Sequence, residues 1–263
     1  MRTTARIIRF ECRDVVRSRW LIGYTLFFLV LSDALMRVSD STLKAALSLT
    51  NVTLFIVPLV SLIFGTMYLY NAREFTELLL AQPVARKQMF VGMYLGLALP
   101  SAAAFLVGIG APVLLHGVDD SVAGGALLML GAVGVALTWI FLALGLLISV
   151  RLNDRVRGLG AALAVWLLAA VVYDGMVLLI ATIFAGHRLE GPMLAMMVAN
   201  PVDLGRVVLL LRFDAGALMG YTGAVFERFF GAAVGSVVGA LALFAWVAAP
   251  LAWAMAIFRR KDF

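Results

Sequence analysis

Between residues 122 and 150 the chain reads VAGGALLMLGAVGVALTWIFLALGLLISV, a run of 29 residues without a charged side chain. About 20 apolar residues in a helix are enough to cross the hydrocarbon core of a bilayer. A backbone inside lipid must satisfy its own hydrogen-bonding groups, which favours a helix over an isolated strand. The stretch therefore predicts a membrane-spanning helix.

Five further stretches of the same character are separated by short charged joints. They cover residues 20–35, 47–70, 89–115, 159–185 and 232–258. The chain of 263 residues is 63% hydrophobic and 14% charged, whereas a soluble domain is usually about half apolar or less. The sequence predicts an all-α polytopic membrane protein with six transmembrane helices. No segment between spans is long enough for a soluble domain, so residues 1–263 are expected to form one transmembrane domain.

The basic residues are distributed unevenly between the two sides of the predicted membrane. Fifteen of the 21 fall before the first span, in the second-to-third and fourth-to-fifth joints, and after the last span; six fall in the other joints. Basic residues in short joints stay in the cytoplasm. We therefore expect a multi-pass protein of the bacterial inner membrane with both termini cytoplasmic. This placement accounts for the net charge of +6 without a nucleic-acid partner.

The first 19 residues have the pattern of a helix that lies in the membrane interface. At 100° per residue, five arginines from Arg2 to Arg17 fall in one stripe, with Ile7 and Val15 roughly opposite. Glu11 breaks the pattern because it projects on the apolar side. Pairing with a neighbouring arginine or snorkelling is the favoured interpretation, and contact with another part of the protein is the alternative.

The joint between the second and third spans, residues 71–88, resembles a folded cytoplasmic element. Polar side chains are followed by a leucine triplet, and Pro83 ends the predicted amphipathic helix. Apolar surface flanked by charge commonly marks a partner-binding site. A simple interface anchor is the weaker alternative.

Two segments carry a resemblance to a known family. The loop ELLLAQPVAR (77–86) and the N-terminal RFECRDVVRSRW (9–20) resemble the corresponding segments of ABC-2 type transporter permeases. The outer segments NPVDLGR (200–206) and ALMGYTGAVF (217–226) are similar to the subgroup of these permeases linked to the maturation of copper enzymes. The layout of six spans, with a long outer joint before the last, agrees.

The resemblance implies a permease subunit that forms a homodimer and binds two copies of a separate ABC ATPase. The subunit would couple that ATPase to export, or to maturation of an extracytoplasmic copper enzyme, with an extracytoplasmic accessory protein as a further partner. The implied ATPase-coupling residues are Arg73, Glu74, Glu77, Leu78, Leu79, Gln82 and Arg86. The chain has no Gly-x-x-x-x-Gly-Lys-[Ser/Thr] phosphate-binding loop, so ATP hydrolysis is expected in a partner chain and not in this one.

The outer segment 187–231 is predicted to form two or three short helices that dip partly into the outer face of the membrane. Pro192 and Pro201 stand where helices start, and Asp203 suits a first helical turn. Three methionines between residues 193 and 197 could suit Cu(I). Met is a flexible core residue and Cys12, the chain's one cysteine, is distant, so packing is the favoured role and no metal or cofactor is expected.

A few residues within the spans are unusual for their surroundings. Asp174 lies near the middle of the fifth predicted span, where a carboxylate is costly and rarely faces lipid. Two roles stay open for it: a hydrated pathway or a structural hydrogen bond. Asp33 stands four residues before Arg37, and an ion pair accounts for it. Glycines four residues apart, at Gly231, Gly235 and Gly239 and again at Gly92 and Gly96, allow close helix approach within one chain or between two.

Two other classes of function were weighed against a transporter subunit. A membrane-embedded enzyme is disfavoured because the chain has two histidines and neither a His-Glu-x-x-His nor a Gly-x-Ser-x-Gly motif. A non-transporting assembly factor, driven by an ATPase that pulls on a partner, stays open, since both kinds of work use the same coupling joint.

Overall fold

The computed structural model describes residues 2–72, 85–119, 121–184, 190–210 and 220–260. Within these ranges the chain is helical and contains no strand. The helices are α1 (Arg2–Val16), α2 (Arg19–Val38), α3 (Thr42–Asn71), α4 (Arg86–His116), α5 (Ser121–Arg151), α6 (Arg155–Ile183), α7 (Glu190–Ala199), α8 (Pro201–Leu210) and α9 (Gly220–Arg260). The all-α prediction is confirmed.

Six helices are long and apolar enough to cross a membrane. They are α2 to α6 and the part of α9 from Val237 to Arg260. Each coincides with one of the six predicted stretches and extends it by a few residues at one or both ends, except at the start of the last span. The six-span prediction is confirmed. The remaining helices are the N-terminal α1 and the pair α7–α8, which is bent by 109°.

Several of the joints carry side chains that start or stop the helices. Ser18 and Ser41 cap α2 and α3, each accepting a hydrogen bond from the backbone N–H three residues later. Asp154 caps α6 by accepting from the N–H groups of Val156 and Arg157. Gly117 ends α4 with a φ of 80°, a left-handed conformation that glycine adopts without a Cβ penalty.

The core is centred on α5, the most buried of the spans. It crosses α3 where two glycines face each other's backbone. A methyl group built on Gly145 would lie 2.6 Å from the carbonyl oxygen of Leu62, and one on Gly65 would lie 2.8 Å from that of Leu142. Each distance is too short for a carbon atom, so the crossing requires glycine on both helices.

Three of the glycines with four-residue spacing pack within the chain. A Cβ on Gly92 would meet the side chain of Ile7 at 2.7 Å, and one on Gly96 would overlap Glu11. In α9, Gly239 packs against Val208 of α8. Of the two possibilities left by the sequence, packing within one subunit is therefore what these three glycines do.

Three of the spans are poorly covered by the rest of the chain. Few residues of α2, α6 and the spanning part of α9 are buried, and α6 is the least buried of the six spans. Large apolar side chains on α6, such as Leu178 (64%) and Ile183 (65%), are mostly exposed. Lipid or another protein must cover these faces in a membrane.

Candidate functional site

One end of the helix bundle collects most of the joints predicted to be cytoplasmic. The predicted coupling residues Arg73, Glu74, Glu77, Leu78, Leu79 and Gln82 lie outside the described residues. The helices on either side of them are described. α3 ends at Asn71 and α4 begins at Arg86, so the structure defines the two attachment points of the coupling segment.

Arg86 fixes the start of α4 to the end of the last span. Its Nη1 donates a hydrogen bond to the backbone carbonyl oxygen of Arg259 at 3.1 Å. Near the same end, the rings of Phe90 and Phe258 pack at 5.1 Å between centroids. The only described residue of the predicted coupling set therefore joins α4 to the C-terminal turn of α9.

The N-terminal helix α1 packs along the start of α4, and one of its two acidic residues, Glu11, is buried. Glu11 is 4% exposed and accepts a short hydrogen bond from the hydroxyl of Tyr68 near the end of α3. The favoured interpretation, pairing with a neighbouring arginine, was wrong: Glu11 contacts another part of the protein. The reason is that Gly96 leaves room for the Glu11 side chain between α4 and α3.

The environment of Glu11 favours its neutral form. Burial raises the pKa of this carboxyl above its ordinary value, the Tyr68 hydrogen bond lowers it, and the nearby Asp14 raises it further; the net direction is upward. A carboxyl group out of water loses hydration that one hydrogen bond restores only in part. The junction of α1, α3 and α4 is thus expected to be more stable when Glu11 is protonated than when it is ionised.

The fourth-to-fifth joint approaches the same end of α3. Tyr70 donates a hydrogen bond from its hydroxyl to the carbonyl oxygen of Leu152 at 2.7 Å, and Gly158 on α6 closes over the Tyr70 ring. Arg151 lies 4.5 Å from the ring centroid of Trp253 on α9, a cation–π distance. The end of α3 therefore contacts both α1 and this joint, next to the coupling segment.

The opposite end of the bundle holds a polar cluster around Asp174. Arg206 on α8 bridges two carboxylates through Nη1, at 2.8 Å from Asp174 and 2.9 Å from Asp203. Asp203 is buried, whereas the side chains of Asp174 and Arg206 are each about one-third exposed (36% and 34%). Burial, and after it the nearby Asp174, raise the pKa of Asp203 to about 7, so the formal charge of the cluster lies between −1 and 0 near neutral pH.

Asp174 lies well inside its span, as the sequence predicted, in the half of α6 that leads to Ile183. It is the second residue of the final α-helical segment of α6, Tyr173–Ile183, and so lies about 14 Å from that end at 1.5 Å per residue. The sequence proposed Tyr173 or a neighbouring helix as its polar partner. The partner is Arg206 from α8, while the Tyr173 hydroxyl donates to the carbonyl oxygen of Met196.

A π-helical turn interrupts α6 directly before Asp174, over Leu168–Val172. Such a turn removes regular hydrogen bonds from carbonyls in a helix, and it frequently occurs at functional sites. One of its carbonyls, that of Ala169, accepts a hydrogen bond from the Asn200 side-chain amide at 2.8 Å. The Asn200 oxygen accepts from the N–H of Val202 at 3.0 Å, at the start of α8. Asn200 thus ties the irregular turn to the bend between α7 and α8.

The sequence missed Arg206, Asn200 and the π-helical turn as parts of this cluster. Their contacts join residues that are 31 or 32 positions apart, and no periodicity links them. The one available signal was an arginine three residues after an acidic residue in an apolar helix. That signal predicts the local pair with Asp203 but not the longer contact with Asp174.

Of the segment 187–231, residues 190–210 form two short helices, as expected, whereas residues 220–231 belong to the long helix α9 and residues 211–219 lie outside the described residues. Pro201 opens α8, Asp203 lies in its first turn, and Pro192 falls in the first turn of α7. α8 is buried among α3, α5 and α9 along nearly its whole length, more deeply than a helix that only dips into the outer membrane face. Met193 and Met197 are fully buried, which confirms a packing role for them.

Near the outer ends of α2 and α4, the sequence-predicted ion pair has a second partner. Arg37 contacts Asp33 at 2.8 Å, as expected, and His116 contacts the other Asp33 oxygen at 2.8 Å. In the adjacent joint, Asp119 accepts a hydrogen bond from the backbone N–H of Thr42 at 2.6 Å. That hydrogen bond lowers the pKa of Asp119. These contacts hold α2, α3 and α4 together away from the coupling segment.

Comparison with known proteins assigns nearly the whole chain to one family. The family model described as ABC-2 family transporter protein matches residues 5–263. A probable ABC transporter permease protein NosY from Pseudomonas aeruginosa is 31% identical over 274 residues, and the alignment covers 97% of each protein. Its namesake from Stutzerimonas stutzeri is 29% identical over 273 residues, also with 97% coverage of each.

Proposed function

The chain belongs to the ABC-2 family of transporter permeases, and from that premise we propose that it couples a separate ATPase to export or to the maturation of an extracytoplasmic enzyme. It is the multi-pass permease subunit of an ABC transporter. We further propose which chains it binds, which of its residues contact the ATPase, and that it serves export or the maturation of an enzyme. The observation that carries it is the convergence of α1, the end of α3, the start of α4 and the end of α9 around the segment 71–88.

A docked ATPase at this segment would act on several helices at once. The segment is attached directly to α3 and α4. Tyr68 near the end of α3 holds Glu11 of α1, and Arg86 at the start of α4 holds the end of α9. Movement of the segment would therefore be transmitted through α3 and α4 to two further elements, α1 and α9, by direct contacts, which suits a coupling role for the residues from Arg73 to Arg86.

Two copies of the chain and two copies of the ATPase are proposed for the working complex. The exposed apolar side chains of α2, α6 and α9 are available for contact with a second copy or with lipid. Helix faces in a bilayer associate through close packing and polar contacts rather than through the hydrophobic effect. Asp174 and Arg206 are partly exposed on α6 and α8, and we place them toward the interior of the homodimer.

The cluster of Asp174, Asp203 and Arg206 is the proposed site at which transported material or an extracytoplasmic accessory protein binds. A carboxylate within a span is costly, and Asp174 is partly exposed although it pairs with Arg206. This exposure and the irregular backbone turn nearby suit a hydrated pathway. The likeness to proteins named NosY, together with the resemblance to permeases of copper-enzyme maturation, supports a task in maturing an enzyme of that kind.

The coupling proposal is tested by a double substitution in the segment, Glu77→Lys with Leu79→Asp. The complex is purified through the permease, and the amount of ATPase that co-purifies is measured. We expect the double variant to lose its ATPase while the permease still inserts and resists proteolysis in its spans. Retention of the ATPase at the affinity of the unmodified chain would place the docking site elsewhere.

A matched control applies the same chemistry to the opposite end of the bundle. Lys44→Glu with Leu115→Asp again reverses one charge and introduces one acid, at two exposed positions. This control should keep the ATPase bound. Reconstitution of the purified complex in liposomes then separates the two tasks, because transport predicts ATP hydrolysis stimulated by substrate and mechanical assembly predicts stimulation by a partner protein.

A further inference from the structure

An apolar groove runs along the outside of the bundle between α2 and α3. Its volume is about 390 Å³, and its walls are nearly all carbon. Trp20, Gly23 and Phe27 of α2 face Ile56 and Val60 of α3 across it. From residue 19 to residue 27 the groove extends about 12 Å along the helix axis at 1.5 Å per residue.

One end of the groove carries a positive charge. Arg19 lines it at the first residue of α2, directly after the interfacial helix α1. Trp20 beside it is 70% exposed, and exposed tryptophan is typical of the boundary between headgroups and acyl chains. The groove therefore has a guanidinium at headgroup level, and the rest of its wall, toward the membrane interior, is nearly all carbon.

A second groove of the bundle lacks this charge and provides a comparison. It has a volume of about 300 Å³ and lies between α5, α8 and α9. Trp139, Phe244 and Ala240 are among its lining residues, and none of its lining residues is charged. The groove between α2 and α3 thus differs from it in having a guanidinium at its mouth.

We infer that the groove between α2 and α3 binds an acyl chain of an anionic phospholipid, with the phosphate of the headgroup on Arg19. An acyl chain has the shape and chemistry of the carbon-lined part, and an anionic headgroup complements the guanidinium at its end. Arg forms bidentate hydrogen bonds with phosphate. The charge distribution puts Arg19 at the cytoplasmic leaflet, which contains anionic lipids that attract basic residues near the surface.

The position of the groove gives the bound lipid a structural role. A bound lipid would lie against α2 and α3 at the point where α1 turns into α2, and α3 leads to the coupling segment. The lipid would therefore fill the space that α2, one of the least buried spans, leaves along α3. This inference does not depend on the ATPase or on what is transported.

The test measures contact between Trp20 and lipid in vesicles. The full chain is reconstituted in phosphatidylcholine containing a small fraction of phosphatidylglycerol with brominated acyl chains, and in matched vesicles where the brominated lipid is phosphatidylcholine. Bromine quenches tryptophan at contact, and the signal of Trp20 is the difference between the chain and its Trp20→Phe variant. We expect brominated phosphatidylglycerol to occupy the site about fivefold more strongly than brominated phosphatidylcholine, as one basic contact near the surface predicts.

Two variants separate the headgroup contact from the acyl-chain contact. Arg19→Gln should remove the preference for phosphatidylglycerol and leave quenching by both lipids equal. Gly23→Leu should reduce quenching by both lipids, because it adds a side chain to the groove; a Cβ at Gly23 meets no protein atom within 4 Å, so the helix itself has room for it.

Two controls and three adverse outcomes complete the test. Arg17→Gln removes an exposed cation that does not line the groove, and Ala240→Leu fills part of the uncharged groove; both should keep the preference at Trp20. Equal quenching by the two lipids in the unmodified chain would overturn the inference, as would a preference that persists in Arg19→Gln. Absence of quenching by either lipid would mean that a second copy of the chain covers the groove, which also overturns it.

Discussion

Glu11 and Asp174 are two carboxylates that the sequence singles out as unusual for their surroundings. Both interrupt an apolar pattern, and both find a partner on another helix: Tyr68 for Glu11 and Arg206 for Asp174. Their situations differ in charge. Glu11 is buried beside a neutral hydroxyl, whereas Asp174 has a guanidinium at 2.8 Å. The first is therefore expected to respond to pH, and the second to loss of charge.

Glu11→Gln should stabilise the protein at neutral pH. Because burial raises the pKa of Glu11, the folded protein keeps a proton that the unfolded chain releases, so stability falls as pH rises from the ordinary glutamate pKa through the raised one. The amide has no charge to lose and still accepts from Tyr68. The melting temperature of the variant should match that of the unmodified chain in acid and exceed it at neutral pH.

Control for this effect comes from Glu11→Leu, which removes the acceptor as well as the charge. That variant leaves the Tyr68 hydroxyl buried without its partner, a loss of about 1–3 kcal/mol. A melting temperature of Glu11→Gln below that of the unmodified chain at neutral pH would show that the carboxylate is charged and required at this contact.

Asp174→Asn should impair function without unfolding the protein. The substitution keeps the shape of the side chain and removes its charge, and Arg206 retains Asp203 at 2.9 Å. If Asp174 lines a hydrated pathway, the ATPase activity stimulated by substrate or partner should fall, with a normal yield of assembled complex. Unchanged activity would leave Asp174 a structural role only.

Asp174→Leu is the companion variant for stability. It deprives Arg206 of one of its two carboxylates and should lower thermal stability, by less than the loss of about 1–3 kcal/mol for a buried group left with no partner, because Asp203 remains beside Arg206. Its loss of thermal stability, set against the stable but impaired Asp174→Asn, separates the structural contribution from the functional one.

Among the elements, α3 and α5 form the closest helix pair that the structure describes in the core. Gly65 and Gly145 bring the two backbones into contact, and the Thr66 hydroxyl lies 3.4 Å from the carbonyl oxygen of Gly145. Small residues at such a crossing allow dispersion contacts along the whole helix face. Since α3 leads into the coupling segment, this crossing sets how firmly that segment is attached to the core.

Gly145→Ala should separate α3 from α5. The added methyl group would lie 2.6 Å from a backbone oxygen of Leu62, and a backbone atom cannot yield as a side chain can. Overpacking of this kind costs about 1–3 kcal/mol, to be measured as a loss of thermal stability in detergent. Gly160→Ala on α6 is the matched control, because a Cβ there meets nothing within 4 Å, and it should have little effect.

At the scale of the whole molecule, the bundle has two chemically different ends. Arg86, Arg151 and Glu11 belong to the end that carries the coupling segment, and His116, Asp119 and the Arg206 cluster belong to the other. The distribution of basic residues predicts that the first end is cytoplasmic. With this orientation, the proposed ATPase would bind at that end.

Single-cysteine labelling tests the orientation. In a Cys12→Ser background, Asp119→Cys should react with a membrane-impermeant thiol reagent from the outside of intact cells. Gln88→Cys, an exposed position at the start of α4, should react only after the membrane is opened. Labelling of position 119 from the cytoplasmic side alone would reverse the topology and with it the proposed docking face.

Much of the architecture follows from local properties of the sequence. The number of spans, their approximate ends and the amphipathic α1 depend on the length of apolar runs and on charge, which act on each segment separately. Asp174 could be singled out for the same reason, since a carboxylate in a span is costly wherever the other helices lie. The residues assigned to ATPase coupling came from a resemblance and, apart from Arg86, lie outside the described residues, so their role stays a prediction.

The partners of these residues were decided by the tertiary structure. Glu11 and Tyr68 are 57 residues apart, and the glycines at 92, 96 and 239 could have faced either the same chain or a second copy. Helical periodicity gives the face on which a side chain lies, but not the helix that packs against that face. In a bilayer nearly every helix face is apolar, so hydropathy does not rank the alternatives, and close packing at glycines and a few buried polar contacts select the arrangement.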